Sequence, residues 1–380
     1  MKGNSSVTRT AAVLRLKIAR EGNRMAWEHG MVKFMLLAAM VVVATPVVSR
    51  SVAASEPSST VGFHFDPAFE SSEGYEDVGT NSAKESMEAW CNGCAPDAWQ
   101  VTADALFLAR RNPASAALFV DQAVNEEILN ASDFHLGVHG GFDLSLTRWS
   151  GERFGVECRY FGVDHWNANV LVPTTPGNDL NSVSASPPVT VQAGTAIAAS
   201  HASELHNFEV NTRYRWNDQW TLLAGFRYAE LDERFRADLI DPPTPFSLQA
   251  VTRNRLYGGQ LGAEVLVWDC GGRFAVDAFG KAGIFGNAAT NRSSFATDVN
   301  TESAIGDRTP VSFLGELGIR GNYHISQRWS AQVGYHLLWV HQVALATEQV
   351  AVSNFFLGEG IDASGNTFYH GASVGIQYAW

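Results

Sequence analysis

The chain has 380 residues, of which 46% are hydrophobic and only 17% are charged. Soluble domains usually carry roughly 25% charged residues, and a formal net charge of −12 argues against a general nucleic-acid-binding protein. The mean hydropathy of −0.08 disfavours a bundle of membrane helices, which leaves an all-β protein, either soluble or embedded in a membrane.

The first segment with a clear pattern is a 15-residue apolar run, Phe34–Val48, which follows Lys33 and precedes small residues at 51–54. A membrane-spanning helix needs about 20 apolar residues. The run therefore predicts a secretory signal peptide within residues 1–54 rather than a single-pass anchor, which is the alternative. Residues 1–54 thus form an N-terminal extension and signal peptide. The translation start is open among three methionines: Met1, Met25 and Met31.

Residues 55–98 are rich in Ser, Glu, Gly and Asp and show little periodicity. Such a segment has too few apolar residues to build a core, so we expect a flexible periplasmic tether or a partial plug. Cys91 and Cys94 form a C-x-x-C pair within it. A redox or metal site would need a thioredoxin-like context or a second ligand pair. Because neither is present, the pair predicts a local disulfide.

From Trp99 to Trp380, apolar residues occupy every second position in ten segments of about 10–14 residues. Short connections alternate with long ones, as in outer-membrane barrels. The long ones are 110–132, 167–203, 232–252, 287–309 and 342–366. This layout predicts an all-β fold, a transmembrane antiparallel up-and-down β-barrel over 99–380. About ten strands are expected, or twelve if 115–122 and 343–352 add a pair.

The two faces of each strand differ in chemistry. A soluble sandwich would bury the apolar face, whereas a barrel in lipid turns it outward and must close so that no backbone group is left unpaired. A ten-stranded barrel is only slightly wider than the eight-stranded kind that side chains fill. The polar face therefore lines either an aqueous path or a salt-bridged filling. The predicted lumen-lining residues are His135, His139, Asp143, Glu157, Arg159, Glu209, Arg213, Arg215, Arg227, Glu264, Asp277, Lys281, Glu316, Arg320 and His336.

Tryptophans concentrate near the short turns, as expected for a girdle at a membrane–water interface. The predicted girdle consists of Trp99, Trp216, Trp220, Trp268, Trp329 and Trp380, and Trp149 lies at the same end. Trp166 and Trp339 predict a thinner outer girdle. The C-terminal residues Val374, Ile376, Tyr378 and Trp380 alternate in a pattern that resembles the assembly signal of bacterial outer-membrane barrels.

Several spaced motifs carry a family resemblance. They are Gly225-Phe226-Arg227-Tyr228 with Leu231-Asp232-Glu233, Tyr257–Gly262, Phe313–Leu317, Val333–Trp339 and His370–Gly375. Together they resemble a β-barrel porin family best represented in planctomycete bacteria. The resemblance implies an outer-membrane barrel over nearly all of the mature chain. It supplies no substrate and no catalytic or binding residues.

The leading functional expectation is passive, porin-like diffusion of small polar solutes, with no catalysis and no cofactor. The second is a barrel that side chains fill and that acts through its outer loops, as a structural or adhesive protein. The third is a hydrolase at the outer rim, where Asp164, His165, His201, His206 and His341 are expected.

His135, His139 and Asp143 share one face of a strand, but residues four apart on a strand are separated by about 13 Å. No two of these residues can therefore bind the same metal ion, and we expect no metal site. The expected partners are outer-membrane lipid, the barrel-assembly machinery and small polar solutes, with no nucleic acid. The expected location is the bacterial outer membrane.

Overall fold

A computed structural model describes residues 98–183, 189–269 and 272–380. Within these residues the fold is all-β apart from one 3₁₀ turn at Ala131–Asp133 and one short helix, α1, at Ala346–Val352. None of the helices in these ranges has the length and apolar composition to cross a bilayer. The strands are β1 Trp99–Arg110, β2 Ala117–Asp121, β3 Glu126–Asn130, β4 Val138–Ser150, β5 Phe154–Pro173, β6 Asp179–Ser182, β7 Val189–Gln192, β8 Ala196–Arg215, β9 Trp220–Ile240, β10 Ser247–Asp269, β11 Phe274–Ala296, β12 Thr301–Arg308, β13 Val311–His324, β14 Trp329–Val343 and β15 Gly365–Ala379.

Ten strands form one closed antiparallel barrel, which confirms the predicted fold class. The ring runs β1, β4, β5, β8, β9, β10, β11, β13, β14, β15 and back to β1. The ring closes where Trp99 and Trp380 exchange two backbone N–H···O hydrogen bonds of 2.9 Å each. Because the ring is closed, every barrel strand is hydrogen-bonded to a neighbouring strand on both sides, as a strand in hydrocarbon must be. We call the end that carries Trp99, Trp380 and the short connections the turn end, and the other end the loop end.

An apolar belt surrounds the half of the barrel near the turn end. On β9, the nine residues from Trp220 to Tyr228 have the length that a tilted transmembrane strand needs. Large apolar side chains of the belt stand exposed on the outside, as a lipid-facing surface requires. They include Val101, Phe107, Phe142, Leu144, Phe226, Tyr257, Leu261, Ile284, Phe313, Leu317, Ile319, Val333, Tyr335, Val374 and Ile376.

The chemistry of the two faces inverts beyond an aromatic row. Tyr160, Phe208, Tyr228 and Tyr257 are cross-strand neighbours on β5, β8, β9 and β10. Past this row, β9 turns charged residues outward and buries apolar ones. The outward set is Glu230, Asp232, Arg234, Arg236 and Asp238, and the inward set includes Leu231, Phe235, Ala237 and Leu239. The loop-end half is therefore built like a water-soluble barrel with a dry interior.

Because of this inversion, two of the predicted long loops are largely strand. Residues 167–203 and 232–252 were expected to be long connections, but β5 continues to Pro173, β8 begins at Ala196, and β9 and β10 are joined by residues 241–246 alone. The alternation continues above the belt with opposite polarity. A prediction that follows only the outward apolar residues therefore ends these strands too early.

The twelve-strand alternative is wrong. Residues 117–121 form β2, which belongs to a separate four-stranded sheet with the order β3-β2-β6-β7, and residues 346–352 form α1. The predicted signal peptide, residues 55–97 and the Cys91–Cys94 pair lie outside the described residues.

Candidate functional site: the barrel interior

The barrel interior changes along its axis. Near the turn end, a cavity of about 380 Å³ is lined mostly by polar side chains. Several predicted lumen residues line it: Asp143, Glu157, Arg159, Arg213, Arg215, Glu264, Asp277, Lys281, Arg320 and His336. Asn322 donates to Asp277 at 2.5 Å, and a ring nitrogen of His336 lies 3.0 Å from the Ser373 hydroxyl.

Part of the wall of this cavity belongs to an ion-paired layer of five acids and five bases. Its members are Asp143, Glu157, Arg159, Glu209, Arg213, Arg227, Glu264, Lys281, Glu316 and Arg320. Because the charges balance, the layer carries no net charge that would favour cations over anions.

Arg159 and Glu209 each form three ion pairs within the layer. The Nε and Nη2 of Arg159 donate to Asp143 at 3.0 and 2.7 Å, a two-nitrogen contact that suits the planar guanidinium. Its Nη1 donates to Glu316 at 2.8 Å and to Glu209 at 3.2 Å. One side chain thus binds three carboxylates from three other strands.

Arg227 and Lys281 complete the centre of the layer. Arg227 and Glu209 are fully buried, and Glu316 is only 2% exposed. Arg227 donates to Glu316 at 2.9 Å, and Lys281 donates to Glu209 at 2.8 Å. Charges buried this far from water are tolerated only when they are paired and hydrogen-bonded.

The lower edge of the layer is formed by Arg213, which pairs with both Glu157 and Glu264. Its guanidinium also lies 5.6 Å from the centre of the Trp149 ring. Trp149 points inward and is 7% exposed, so it is not part of the membrane girdle. It covers the inner charges from below, and the exposed Arg215 stacks on it at 3.9 Å.

On the loop-end side of the layer the interior is an apolar core. Trp166 is fully buried and donates its indole N–H to the Leu108 carbonyl at 3.1 Å. Its ring lies 5.3 Å from that of Tyr369, and Phe134 meets Phe235 edge-on at 5.8 Å. These rings come from different strands and loops and belong to one cluster of buried apolar side chains.

The prediction of an outer girdle is wrong for Trp166, which lies inside the barrel. The register of β5 shifts between Val163 and Trp166, where His165 has a φ of +67°. This bulge adds a residue to the strand and turns the tryptophan from the outer face to the inner one. Trp339, by contrast, is on the outside.

The β14–β15 connection, residues 344–364, folds into the loop end and is called the plug below. Asn254 holds it like a backbone partner: its amide donates to the Ala344 carbonyl at 2.8 Å and accepts from the Ala344 N–H at 2.7 Å. Asn291 donates to the Gly360 carbonyl at 2.8 Å, and Glu233 accepts from the Ala346 N–H at 2.9 Å. The plug is therefore fastened to the barrel wall by buried side chains.

Sequence reasoning missed the residues that fasten the plug and the Arg110–Glu233 ion pair beside it. They lie in stretches that were expected to be loops or at strand ends. A detectable signal does exist. Asn254 and Glu233 continue the inward positions of β10 and β9 beyond the belt.

Two predicted lumen histidines lie elsewhere. His135 is exposed, precedes β4 and pairs with the Asn112 side chain at 2.6 Å, so it is not in the lumen. The left-handed Gly137 separates it from the strand. His139 faces inward beside the Trp166 ring at 6.3 Å, in the apolar core rather than in a polar lumen.

Of the residues predicted at the rim of a hydrolase, His206 and Asp164 form the one His–Asp contact that the described structure shows within this set. His201 is buried next to Glu233 at 3.4 Å, whereas His206 lies 3.2 Å from Asp164 on the outer face of the barrel. His341 is exposed on β14. Across residues 98–183, 189–269 and 272–380, no three His, Cys, Asp or Glu side chains are grouped to hold a metal ion.

The tryptophans predicted to form a girdle lie at the turn end of the barrel. Five of its tryptophans are exposed: Trp216, Trp220, Trp268, Trp329 and Trp380. Trp99 is half-buried because it stacks on Trp380, with 6.3 Å between ring centres. In the C-terminal pattern, Val374 and Ile376 also face outward.

Comparison with solved structures finds distant barrels. The outer membrane protease OmpT of Escherichia coli is 9% identical, with a TM-score of 0.42 and coverage of 75% of this chain and 96% of that one. The toluene transporter TbuX of Ralstonia pickettii is 9% identical (TM-score 0.29, coverage 80% and 94%). Neisserial surface protein A is 12% identical (TM-score 0.20, coverage 74% and 97%). Likeness this remote carries no functional argument.

No curated protein matches the chain. The sequence does match a protein family over residues 111–354, well over half of its length. The chain belongs to that family of outer-membrane β-barrels, described as "Putative beta barrel porin-7 (BBP7)".

Proposed function

We propose that this protein is a non-conducting outer-membrane barrel that anchors a rigid β-structured platform at the cell surface. In this arrangement the turn end faces the periplasm and the loop end faces outward, as in other barrels with short and long connections. The proposal replaces passive diffusion as the leading function.

The observation that carries the proposal is the contact of Arg159 with Glu316. Their strands, β5 and β13, are five places apart in a ring of ten, which puts them on opposite walls. The side chains nevertheless meet at 2.8 Å. A pair that spans the diameter, surrounded by buried charges, supports a lumen that is closed at this level.

A second barrier lies above the first. The apolar core and the plug occupy the loop-end half, and apolar constrictions oppose ions by excluding water. The cavity near the turn end is therefore a dead end rather than the mouth of a channel. Either barrier alone is sufficient to stop passive diffusion of a polar solute.

The loop-end half supports the platform role. On β9, the twelve residues that follow Tyr228 extend beyond the belt, and β2, β3, β6 and β7 form a further sheet at this end. At the tip, Phe356 is 82% exposed and Leu357 is 63% exposed. The turn that carries them is fixed because its Gly358 carbonyl accepts from the Ile305 N–H of β12 at 3.0 Å. Exposed apolar side chains on a fixed turn favour contact with a partner surface.

Conductance in planar bilayers tests the proposal. We expect the purified, heat-modifiable protein to insert without discrete current steps, and liposomes that contain it to remain impermeable to a pentose. A double variant, Arg159→Ala with Glu316→Ala, should also stay silent because the apolar core is intact. Reproducible open steps or pentose entry with the unaltered protein would overturn the proposal in favour of a diffusion channel.

A further inference from the structure

At the turn end, three strands begin with an aromatic residue that directly follows an arginine. The pairs are Arg153-Phe154 at β5, Arg273-Phe274 at β11 and Arg328-Trp329 at β14. All six residues are exposed. We call these three pairs the turn-end collar. A fourth pair, Arg215-Trp216 at the end of β8, differs because Arg215 lines the turn-end cavity.

The backbone fixes the collar at the end of the barrel. The Arg273 carbonyl accepts from the His324 N–H at 2.7 Å. The Arg328 carbonyl accepts from the Ala379 N–H at 2.9 Å. The Arg153 carbonyl is bound in the same way by the last residue of β8. Each arginine is therefore tied to the end of a neighbouring strand rather than carried on a free loop.

The aromatic members of the collar continue the lipid-facing belt. The Phe154 ring lies 5.0 Å from that of Tyr214, and the Trp329 ring lies 4.7 Å from that of Tyr378. Exposed rings of this kind favour the interface between hydrocarbon and water. Because each collar arginine is joined directly to such a ring, its long side chain lies within reach of the lipid headgroups.

The side chains around the turn end carry a positive charge outside the cavity. Of three acids in the described short connections and the strand ends beside them, Asp218 and Asp269 line the cavity. Glu152 is the third, and it stands against Arg148 and the three collar arginines. Among the described residues, no carboxylate forms an ion pair with a collar arginine. The collar thus presents guanidinium groups that the barrel itself does not neutralise.

The opposite boundary of the belt has a different charge pattern. Just beyond the aromatic row, Arg253 pairs with Asp232 at 2.9 Å, and Arg255 pairs with Glu230 at 3.4 Å. Glu204 lies beside Asp232 on the neighbouring strand and adds a further acid. The arginines at this boundary are therefore already paired with carboxylates of the barrel. An anionic surface is attracted to the turn end and not to this boundary.

We propose that the turn-end collar binds a membrane leaflet rich in anionic phospholipids. A guanidinium donates through two nitrogens to phosphate oxygens, and an anionic leaflet attracts arginines that lie near its surface. The adjoining ring would remain at the level of the upper acyl chains. A zwitterionic headgroup also offers a phosphate, but its ammonium group opposes the guanidinium. The collar should therefore prefer an anionic phospholipid to phosphatidylcholine.

Such lipid binding goes beyond the platform role and is independent of it, because it holds whether or not the lumen conducts. In the orientation proposed above, the collar meets the periplasmic leaflet. The two ends of the barrel would then have separate tasks, with lipid contact at the turn end and partner contact at the loop end.

Quenching of tryptophan fluorescence by brominated lipids tests the proposal, since Trp329 is itself part of the collar. The full chain is reconstituted in phosphatidylcholine vesicles that contain a fixed fraction of phosphatidylglycerol or phosphatidylcholine brominated in the upper acyl chain. At low salt, phosphatidylglycerol should associate at least about threefold more strongly than phosphatidylcholine. The ratio should fall toward one at about 1 M salt, where the Debye length is only about 3 Å. Equal association of the two lipids at low salt would overturn the proposal.

A triple variant locates the preference. Arg153→Gln, Arg273→Gln and Arg328→Gln together remove the collar charges and leave its backbone hydrogen bonds in place. The association ratio should fall to near one, while heat modifiability shows that the barrel still folds. The matched control is Arg234→Gln, Arg236→Gln and Arg308→Gln, which removes three exposed arginines from the loop end. The control should keep the preference for phosphatidylglycerol. A collar variant that retains this preference, or a control that loses it equally, would refute the collar as the binding surface.

Discussion

Arg159 and Glu316 lie 157 residues apart in the sequence and on opposite walls of the barrel, yet their side chains join at 2.8 Å. Each also binds a further partner: Arg159 holds Asp143, and Glu316 accepts from Arg227. The pair thus links two clusters of charge into one layer. A ten-stranded ring is narrow enough for arginine and glutamate to reach across it, which a wider porin barrel does not allow.

Replacement of Arg159 by Ala should destabilise the barrel by about 3–5 kcal/mol, because it leaves buried carboxylates without their partner. The measurement is the denaturant midpoint of tryptophan fluorescence in detergent, with heat modifiability on gels as a second readout. Arg236→Ala is the matched control. Arg236 is exposed and, among the described residues, pairs only with Asp238 on its own strand, so its loss should cost about 0–1 kcal/mol. Equal effects of the two changes would contradict the ion-paired layer.

Removal of the Asn254 amide should release the plug and leave the barrel intact. Asn254→Ala deletes both hydrogen bonds to Ala344 in a buried place, an expected loss of about 1–3 kcal/mol. Hydrogen exchange at residues 344–364 should accelerate, while the belt strands keep their protection. Asn167→Ala is the control, since that exposed amide contacts only the nearby His165 carbonyl. Unchanged exchange in the plug of the Asn254 variant would show that other contacts hold it.

A charge placed in the belt should be far more harmful than one placed beyond it. Leu261 is outward and 70% exposed within the belt, so Leu261→Arg should cost about 2–4 kcal/mol in a bilayer. Ala198 also faces outward, but above the aromatic row and beside Asp238, so Ala198→Arg should be tolerated. The measurement is folded yield in lipid vesicles. Equal yields would contradict the boundary at the row of Tyr160, Phe208, Tyr228 and Tyr257.

The stability of the plug should fall as pH rises, through Glu348. Its carboxyl has a folded-state pKa of about 7 against an ordinary value of 4.5, so the folded plug binds this proton more tightly than the open form does. The proton's stabilising effect is complete below about pH 4.5, declines as pH rises, and is lost above about pH 7.

The partial exposure of Glu348 limits the expected difference to the order of 1 kcal/mol. Limited proteolysis of the plug at the two ends of this pH range gives the measurement. Glu348→Gln should remove most of this pH dependence. A plug that becomes more resistant to proteolysis at high pH would contradict the assignment.

Much of the fold could be predicted because alternation is a local property. Residues such as Phe226 and Arg227 take opposite faces of β9 whatever the rest of the chain does, and the belt is long enough for the pattern to be counted. The ten strands and their closure were predictable on that basis. The outward position of the apolar face was also predictable, because hydrocarbon accepts neither a charge nor an unpaired strand edge.

The sequence by itself therefore determined a membrane barrel of ten or twelve strands and which side chains face inward within the belt, and the structure decided for ten. Only the tertiary structure decided that these side chains close the lumen, since the meeting of Arg159 with Glu316 depends on ring order and diameter rather than on neighbours in the chain. It also decided that β9 and β10 continue past the apolar belt, where charged residues face outward, apolar residues pack inside and the same alternation is reversed. The inward turn of Trp166 at its bulge and the fastening of the plug by Asn254 are likewise long-range, because each needs a partner that local periodicity does not specify.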